Sequence, residues 1–238
     1  MTEKAVLITG GAKRVGAAMS RYFATQGYDV ALHYNRSKKD ALALQKEILA
    51  MGVACELFQH DLSDIKGFKD LIMQVQKAMP HCRALVNNAS IFERASLMET
   101  DETLFDRQFS INLKAPFFLT QAFAKRFGRG CVVNILDTNI VRTDGSHFAY
   151  ILSKKALAEF TTMAARELGP NIRVNAVCPG IVLPSNELDE QYMKKLSKSL
   201  PLGKLANLEQ VSSAAYWLCE NESVTGQLMF TDGGQHLL

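Results

Sequence analysis

The fold of this chain is decided by residues 5–16, AVLITGGAKRVG. The four apolar residues at its start predict a short buried strand, and the glycines that follow allow a tight turn into a helix. Such a turn directs the unpaired N–H groups of a helix N-terminus at a bound anion, so this stretch predicts a pyrophosphate site. Arg14 stands where the usual pattern has glycine, and its planar guanidinium suits the same anion.

An apolar strand followed by a helix recurs along the chain. We predict strands at Ala5–Thr9, Asp29–Tyr34, Ala54–Gln59, Ala84–Asn88, Cys131–Leu136, Ile172–Cys178 and Leu228–Thr231. We predict helices near Val15–Gln26, Lys38–Met51, Ile65–Met79, Glu102–Phe127, Phe148–Leu168 and Leu208–Cys219. Strands that are apolar throughout are typical of parallel strands covered on both faces. The pattern predicts an α/β fold, a Rossmann-type doubly wound parallel sheet of about seven strands with helices on both faces, as one domain over residues 1–238.

Composition narrows the class of function. The 238 residues are 47% hydrophobic, and 27 Lys and Arg against 24 Asp and Glu leave a net charge of +3. Because the basic residues are scattered, we expect no nucleic-acid groove and no membrane patch. We expect no signal peptide and no membrane span, and since no cluster has metal-ligand spacing we expect no metal. Five widely spaced cysteines without a Cys-x-x-Cys pair are typical of a reduced cytoplasmic protein.

One polar and charged segment, residues 183–202, interrupts the alternation between the sixth strand and the last helix. It follows the carboxyl end of a strand, which is where ligands bind in this class of fold. A substrate lid and a plain surface helix are both consistent with this segment.

The candidate catalytic residues are Asp137, Tyr150 and Lys154. Tyr150 and Lys154 are one helical turn apart, so their side chains share a helix face, and a nearby cation favours the phenolate form of tyrosine. Asp137 lies thirteen positions before Tyr150, after an apolar strand. A carboxylate has the opposite effect and favours a protonated Tyr150.

The end of the second predicted strand indicates which cofactor is used. NAD enzymes usually carry an acidic residue there to bind the ribose 2′-hydroxyl. In this chain the first acidic residue after the strand is Asp40. Arg36 and Ser37 suit a 2′-phosphate instead. These residues favour NADPH.

Together these motifs resemble the short-chain dehydrogenase/reductase family over the whole chain. The shared residues are Thr9-Gly10, Asp61, Asn87-Asn88-Ala89, Asn112, Tyr150, Lys154 and Pro179-Gly180. Within that family Arg14, the residues after the second strand and Asp137, in place of the common serine, resemble the pteridine reductases and their dihydrofolate- or dihydromonapterin-reducing relatives. Phe92 matches the aromatic residue that stacks on the pterin in those enzymes.

The resemblance implies a role for each matching residue. The cofactor would be held by Gly10, Arg14, Val15, Gly16, His33, Tyr34, Arg36, Ser37, Asp61, Leu62, Asn88, Ala89, Ser90, Lys154, Pro179, Gly180 and Val182. Of these, His33, Arg36 and Ser37 would surround the 2′-phosphate, and Asp61 and Leu62 would border the adenine. Asn112 would order a water molecule in a proton relay. The substrate would contact Arg14, Ser90, Phe92, Asp137 and Tyr150.

Asp137 favours a pterin over a simple ketone as substrate. The developing alkoxide of a reduced ketone requires hydrogen-bond donors, whereas an ionised carboxylate only accepts. The hypothesis is hydride transfer from NADPH to C6 of a 7,8-dihydropterin, with Tyr150 protonating N5 and the ring lying between Phe92 and the nicotinamide.

Two alternatives remain open. The chain could be an NADPH-dependent carbonyl reductase, such as a 3-oxoacyl thioester reductase, which Asp137 and Arg14 argue against. It could also be a non-catalytic NADP(H) sensor, which would not need Asn112, Tyr150 and Lys154 together. The resemblance further implies a homo-oligomer, a tetramer or dimer formed through the helices near Glu102–Phe127 and Phe148–Leu168.

Overall fold

The computed structural model describes residues 4–142, 145–183 and 190–238, and for residues 190–192 the backbone alone. The strands in these ranges are β1 (Ala5–Ile8), β2 (Asp29–Tyr34), β3 (Cys55–Gln59), β4 (Cys82–Asn87), β5 (Gly130–Ile135), β6 (Ile172–Pro179) and β7 (Leu228–Thr231). The α-helices are α1 (Arg14–Thr25), α2 (Lys38–Ala50), α3 (Phe68–Ala78), α4 (Glu102–Phe109), α5 (Ala115–Phe127), α6 (Phe148–Leu168), α7 (Glu190–Ser199) and α8 (Leu208–Glu220).

The seven strands form one parallel sheet in the order β3-β2-β1-β4-β5-β6-β7. The chain runs outward from β1 to one edge, returns to the centre at β4 and then runs outward to the other edge. The fold class predicted from the sequence, a doubly wound α/β sheet, is therefore confirmed. Strand order reverses between β1 and β4, and in open α/β sheets ligands bind in the crevice at this point.

Two apolar layers cover the faces of the sheet. On one face α1, α2 and α8 pack through side chains such as Phe23, Ile48 and Leu218. On the other face α3, α5 and α6 pack through side chains such as Phe68 and Phe123. All four residues of β1 are fully buried, which explains why this strand has no polar alternation in its sequence.

The stretch predicted as one helix over Glu102–Phe127 is three elements. After α4 the chain forms a π-helical turn, Ser110–Lys114, and α5 begins only at Ala115. Pro116 lies in the first turn of α5, where its missing N–H costs no helical hydrogen bond. The predicted bounds are confirmed, and the π-helical turn within them was not anticipated because it leaves the helical sequence pattern almost unchanged. Similarly, the helix predicted from Ile65 starts as a 3-10 turn, Ile65–Gly67, before α3.

Thr9 holds the carboxyl ends of β1 and β4 together. Its hydroxyl accepts hydrogen bonds from the backbone N–H groups of Asn88 at 2.9 Å and Ala89 at 3.0 Å. The Asn88 amide donates in return to the Thr9 carbonyl at 2.8 Å. These bonds keep the glycine turn after β1 against the loop after β4, and the cavity described below opens between them.

The segment predicted as a lid or a surface helix, residues 183–202, is described only in part, because residues 184–189 lie outside the described residues. Within it, α7 covers Glu190–Ser199. The end of the segment is held in place, since Leu200 is buried and the Leu202 N–H donates to the Gly233 carbonyl at 3.1 Å. A lid role stays a prediction.

No helix in the described ranges is long and apolar enough to cross a membrane. The five cysteines are free thiols and all are buried. Within the part of the chain that the structure covers, no group of three or more His, Cys, Asp or Glu side chains has metal-binding geometry.

Replacing Gly16 tests the tightness of the first turn. A Cβ at this position would lie 2.2 Å from the Gly10 carbonyl oxygen and 2.6 Å from Nδ2 of Asn88, so Gly16→Ala must displace the turn. We expect it to destabilise the protein by about 1–3 kcal/mol, which lowers Tm by several degrees. Gly145→Ala is the matched control, because a Cβ there meets open space. Equal melting temperatures for the two variants would contradict this account.

Candidate active site

A cavity of about 1000 Å³ lies at the carboxyl ends of the central strands. Its wall includes these residues predicted from the sequence: Gly10, Arg14, Val15, Gly16, Tyr34, Arg36, Ser37, Asn88, Ala89, Ser90, Phe92, Asp137, Tyr150, Lys154, Pro179, Gly180 and Val182. Residues from five separate parts of the sequence thus share one site.

The turn after β1 forms one end of the cavity. Gly10 has a φ of 60°, and a Cβ there would lie 3.1 Å from Cα of Ala89. Arg14, at the first position of α1, is the one non-glycine residue with positive φ in the described ranges, at 50°. The left-handed conformation is costly for a residue with a Cβ. Glycine backbone, a helix N-terminus and a guanidinium together fit the pyrophosphate of a dinucleotide.

His33 does not occupy the place expected for it. Its ring is buried beneath the glycine turn, where Nδ1 accepts from the Gly10 N–H at 3.1 Å and Nε2 lies 3.0 Å from the His60 carbonyl oxygen. Burial lowers the pKa of His33 to about 4, so the ring is neutral at pH 7. His33 therefore positions the turn, and the predicted contact of its ring with a 2′-phosphate is corrected because the ring is buried outside the cavity wall. Arg36 and Ser37 do lie in the cavity wall.

Asp61 and Leu62 also lie outside the cavity wall. Leu62 is buried and packs in the apolar layer of α3. The Asp61 carboxylate accepts from the N–H and the hydroxyl of Ser63, and these hydrogen bonds hold its pKa below the usual range. The expected contact of both residues with adenine stays a prediction.

Tyr150 and Asp137 are joined directly. The Tyr150 hydroxyl donates to Oδ2 of Asp137 at 2.9 Å, while Oδ1 accepts from the Asn139 N–H at 2.8 Å. Burial and the neighbouring carboxylate raise the pKa of Tyr150 well above 10. Burial also raises the pKa of Asp137 above its ordinary value, against the opposing hydrogen bond from Asn139. The phenol is thus held protonated, which decides between the opposing effects of Lys154 and Asp137 expected from the sequence.

Lys154 lies beside this pair. Its side chain is buried, its Nζ donates to the Ile135 carbonyl at 2.8 Å, and the same nitrogen is 5.8 Å from the centre of the Tyr150 ring. Burial lowers the pKa of Lys154 to about 8, although the Asp137 carboxylate partly opposes that shift. At pH 7 the lysine is charged.

Phe92 contributes an aromatic ring to the cavity wall beside Tyr150. Its ring stacks on His147 with centroids 4.1 Å apart and planes at 17°, and it meets the edge of Tyr150 at 4.7 Å and 88°. Phe92 is 53% exposed. His147 thus covers one face of the ring, and about half of the Phe92 surface remains exposed. His147 is held near Phe92 because the N–H of Phe148 donates to the Ala95 carbonyl at 2.9 Å.

Asn112, in the π-helical turn, is fully buried and is not part of the cavity wall. Its Oδ1 accepts from the Ser90 hydroxyl at 2.9 Å and the Ile91 N–H at 3.0 Å, and its Nδ2 donates to the Ile91 carbonyl at 3.0 Å. The side chain therefore positions the loop after β4. Any water relay through Asn112 would have to use its backbone, and the relay itself stays a prediction.

Several wall residues were not anticipated from the sequence: Lys13, Arg94, Thr138, Arg142, Ser146, His147 and Gln235. Arg142, Ser146 and His147 lie between Asp137 and Tyr150, so their place in the sequence was a usable signal. Gln235 had none, because only the folded sheet brings the C-terminus to this edge.

A family model described as enoyl-(acyl carrier protein) reductase matches residues 10–236. Among curated proteins, a 3-oxoacyl-[acyl-carrier-protein] reductase from Staphylococcus epidermidis is 29% identical, over 98% of this chain and 99% of its own. A probable galactose dehydrogenase from Rhizobium meliloti is 30% identical, over 98% of this chain and 95% of its own.

Two solved structures are more similar in sequence. The alternative dihydrofolate reductase 1 (FolM) of Brucella suis, in complex with NADP, is 37% identical with a TM-score of 0.94, and covers 100% of this chain and 97% of its own. The same enzyme from Brucella canis, also complexed with NADP, is 37% identical with a TM-score of 0.93, over 98% and 94% of the two chains. With its parallel sheet, its glycine turn and its Tyr150/Lys154 pair, the chain belongs to the short-chain dehydrogenase/reductase family of oxidoreductases.

Proposed function

We propose that this protein is an NADPH-dependent reductase that converts a 7,8-dihydropterin, of the dihydrobiopterin, dihydromonapterin or dihydrofolate type, to the tetrahydropterin. The observation that carries the proposal is the hydrogen bond from the Tyr150 hydroxyl to the Asp137 carboxylate. The similarity to two dihydrofolate reductases that bind NADP supports it.

The cavity has the groups that NADPH requires. The turn around Gly10 and Arg14 would hold the pyrophosphate, and Arg36 and Ser37 would hold the 2′-phosphate. Lys13, which also lines this end, pairs with Asp40 at 3.1 Å at the start of α2. Bound NADPH supplies a hydride.

Tyr150 supplies the proton. Reduction of the N5=C6 double bond adds a hydride to C6 and a proton to N5, so the site needs a donor that is protonated at neutral pH. The high pKa of Tyr150 meets this requirement. Asp137 orients the phenol before the transfer, and the charge of Lys154 stabilises the phenolate that remains when the proton has passed to N5. Solvent then returns the proton.

Phe92 and Asp137 favour a flat substrate that carries N–H groups. The exposed part of the Phe92 ring would offer offset stacking to a pterin, whereas an acyl thioester has no aromatic ring to stack. Asp137 accepts hydrogen bonds only, so it favours a substrate with donors and repels a developing oxyanion. Arg14 and Ser90, which also line the wall, would complete the contacts with the ring.

A carbonyl reductase is the second candidate, favoured by the similarity to 3-oxoacyl-[acyl-carrier-protein] reductases. Those relatives are 29% identical, whereas the dihydrofolate reductase structures are 37% identical. A non-catalytic sensor is disfavoured by the complete Asp137–Tyr150–Lys154 arrangement, and any turnover would exclude it.

We also propose a homo-oligomer, a dimer or tetramer, in the cytoplasm. Large apolar side chains remain exposed on helices α4, α5 and α6, among them Phe105, Phe117 and Met163, which is 71% exposed. Contacts between copies of these helices would cover them. Five reduced thiols suit a cytoplasmic protein.

The first test is NADPH oxidation, followed by absorbance, with dihydrobiopterin, dihydromonapterin, dihydrofolate and an acetoacetyl thioester. We expect turnover of at least one pterin and little or none of the thioester, and slower turnover with NADH because Arg36 and Ser37 favour a 2′-phosphate. Turnover of the thioester alone would exclude the pterin assignment and leave the carbonyl reductase.

Asp137→Ser tests the role of the carboxylate. We expect the variant to lose about 10- to 100-fold in kcat for the pterin, since a positioned acid–base group contributes about 100- to 10,000-fold and part of Tyr150's function would survive. Carbonyl reduction should rise relative to pterin reduction. Asp106→Ser, an exposed aspartate on α4, is the control. Unchanged pterin turnover in Asp137→Ser would contradict the electrostatic argument.

The pH dependence of kcat/KM identifies the titrating group. Tyr150 keeps its proton up to high pH, so the fall at alkaline pH should follow Lys154, whose pKa is about 8. The Asp137 charge raises that pKa, so Asp137→Asn should move the fall in its residual activity to lower pH. A fall that begins only above pH 10 in the wild type would assign the titration to Tyr150 instead, and Asp137→Asn would lower that pH too, because Asp137 also raises the pKa of Tyr150.

A further inference from the structure

The C-terminal turn, residues 232–238, forms part of the cavity wall through Gln235. The Gln235 side chain is 4% exposed, and its Oε1 is buried without a hydrogen-bond partner among the described residues. An acceptor left unsatisfied in a protein interior is costly and requires an explanation. On the same wall, Nε of Arg142 is also buried and unsatisfied in the described part of the chain.

Hydrogen bonds around Asp232 hold the backbone of the turn in place. The buried carboxylate of Asp232 accepts from the Thr138 hydroxyl at 2.5 Å, the Gly234 N–H at 2.9 Å and the His236 N–H at 2.7 Å. Burial disfavours the charge of Asp232, but the hydrogen bonds from Thr138 and His236 outweigh it and hold the pKa below its ordinary value. The turn is thus fixed to Thr138, the neighbour of Asp137.

Two further contacts place Gln235 on the side of the cavity that contains Asp137 and Tyr150, which we call the catalytic half. The Arg142 guanidinium donates to the Gln235 carbonyl oxygen, and Arg142 follows the 3-10 turn that begins after Asp137. A Cβ at Gly180 would lie 2.8 Å from Oε1 of Gln235, so only glycine at position 180 leaves room for this amide. Gln235 therefore lies between the segment that carries Asp137 and the loop after β6.

We infer that Gln235 is a ligand-recognition residue, whose amide oxygen accepts a hydrogen bond from an N–H group bound in the catalytic half of the cavity. Two ligands offer such a group: the amino and ring N–H groups of a pterin, and the carboxamide of the nicotinamide. The inference relies on the proposed function only for the first of these sources.

Gln235→Leu separates recognition from a structural role, because it removes the amide and keeps a similar volume. If the unsatisfied oxygen awaits a ligand, the variant without ligand should melt at the same temperature as the wild type or above it. A residue needed for the fold would melt lower when replaced. Gln227→Leu, at an exposed position outside the cavity, controls for the chemistry of the exchange.

Binding measurements identify the ligand. A rise of about five- to tenfold in KM for dihydrobiopterin at saturating NADPH, with unchanged Kd for NADPH, would assign the donor to the substrate, since one lost hydrogen bond is worth about 1 kcal/mol. A matching rise in Kd for NADPH, measured by fluorescence titration, would assign it to the nicotinamide. Either result supports the inference.

Two results would overturn it: no change in either constant, or a lower melting temperature accompanied by a loss of both. Thr138→Val shows what a structural loss looks like, because it breaks the bond to Asp232 and should lower the melting temperature, which Thr138→Ser should restore. If the wild type reduces no pterin, the proposed function fails by itself, and the NADPH titration and melting temperatures still test Gln235.

Discussion

The Thr9 hydroxyl accepts hydrogen bonds from two backbone N–H groups of the loop after β4. These bonds join the two halves of the sheet at the point where they diverge. From there the chain turns into α1 on one side and towards the catalytic residues on the other. The cavity exists because parallel strands place all their carboxyl ends at the same edge while their connections separate to opposite faces. Gly10 and Gly16 are required because a Cβ at either position would crowd the atoms of the turn after β1 and the loop after β4.

Burial gives the catalytic pair its chemistry. In water a tyrosine beside a lysine would lose its proton more readily, but here Asp137 accepts the hydrogen bond and desolvation disfavours the phenolate. Lys154 is buried as well, and because its pKa is lowered to about 8 it keeps its charge only below about that pH. The balance yields a proton donor at neutral pH.

The C-terminal turn shows that the site is wider than its motif residues. Asp232 gathers hydrogen bonds from Thr138 and its own turn, so the last residues of the chain are held against the segment that carries Asp137. Gln235 and Arg142 each bring to this wall a buried polar atom that has no hydrogen-bond partner among the described residues. In the role proposed for Gln235, a bound ligand supplies the partner that its oxygen lacks.

The amino-acid sequence alone was enough to predict the sheet, because uniformly apolar strands alternating with helices have few other arrangements. It also predicted that Tyr150 and Lys154 share a helix face, because their spacing follows helix periodicity. Only the tertiary structure decided which side chains face the cavity. His33 turned inward beneath the glycine turn, Asn112 was taken up by the loop after β4, and His147 covered one face of Phe92. Such outcomes depend on contacts between residues distant in sequence, and no local pattern encodes them.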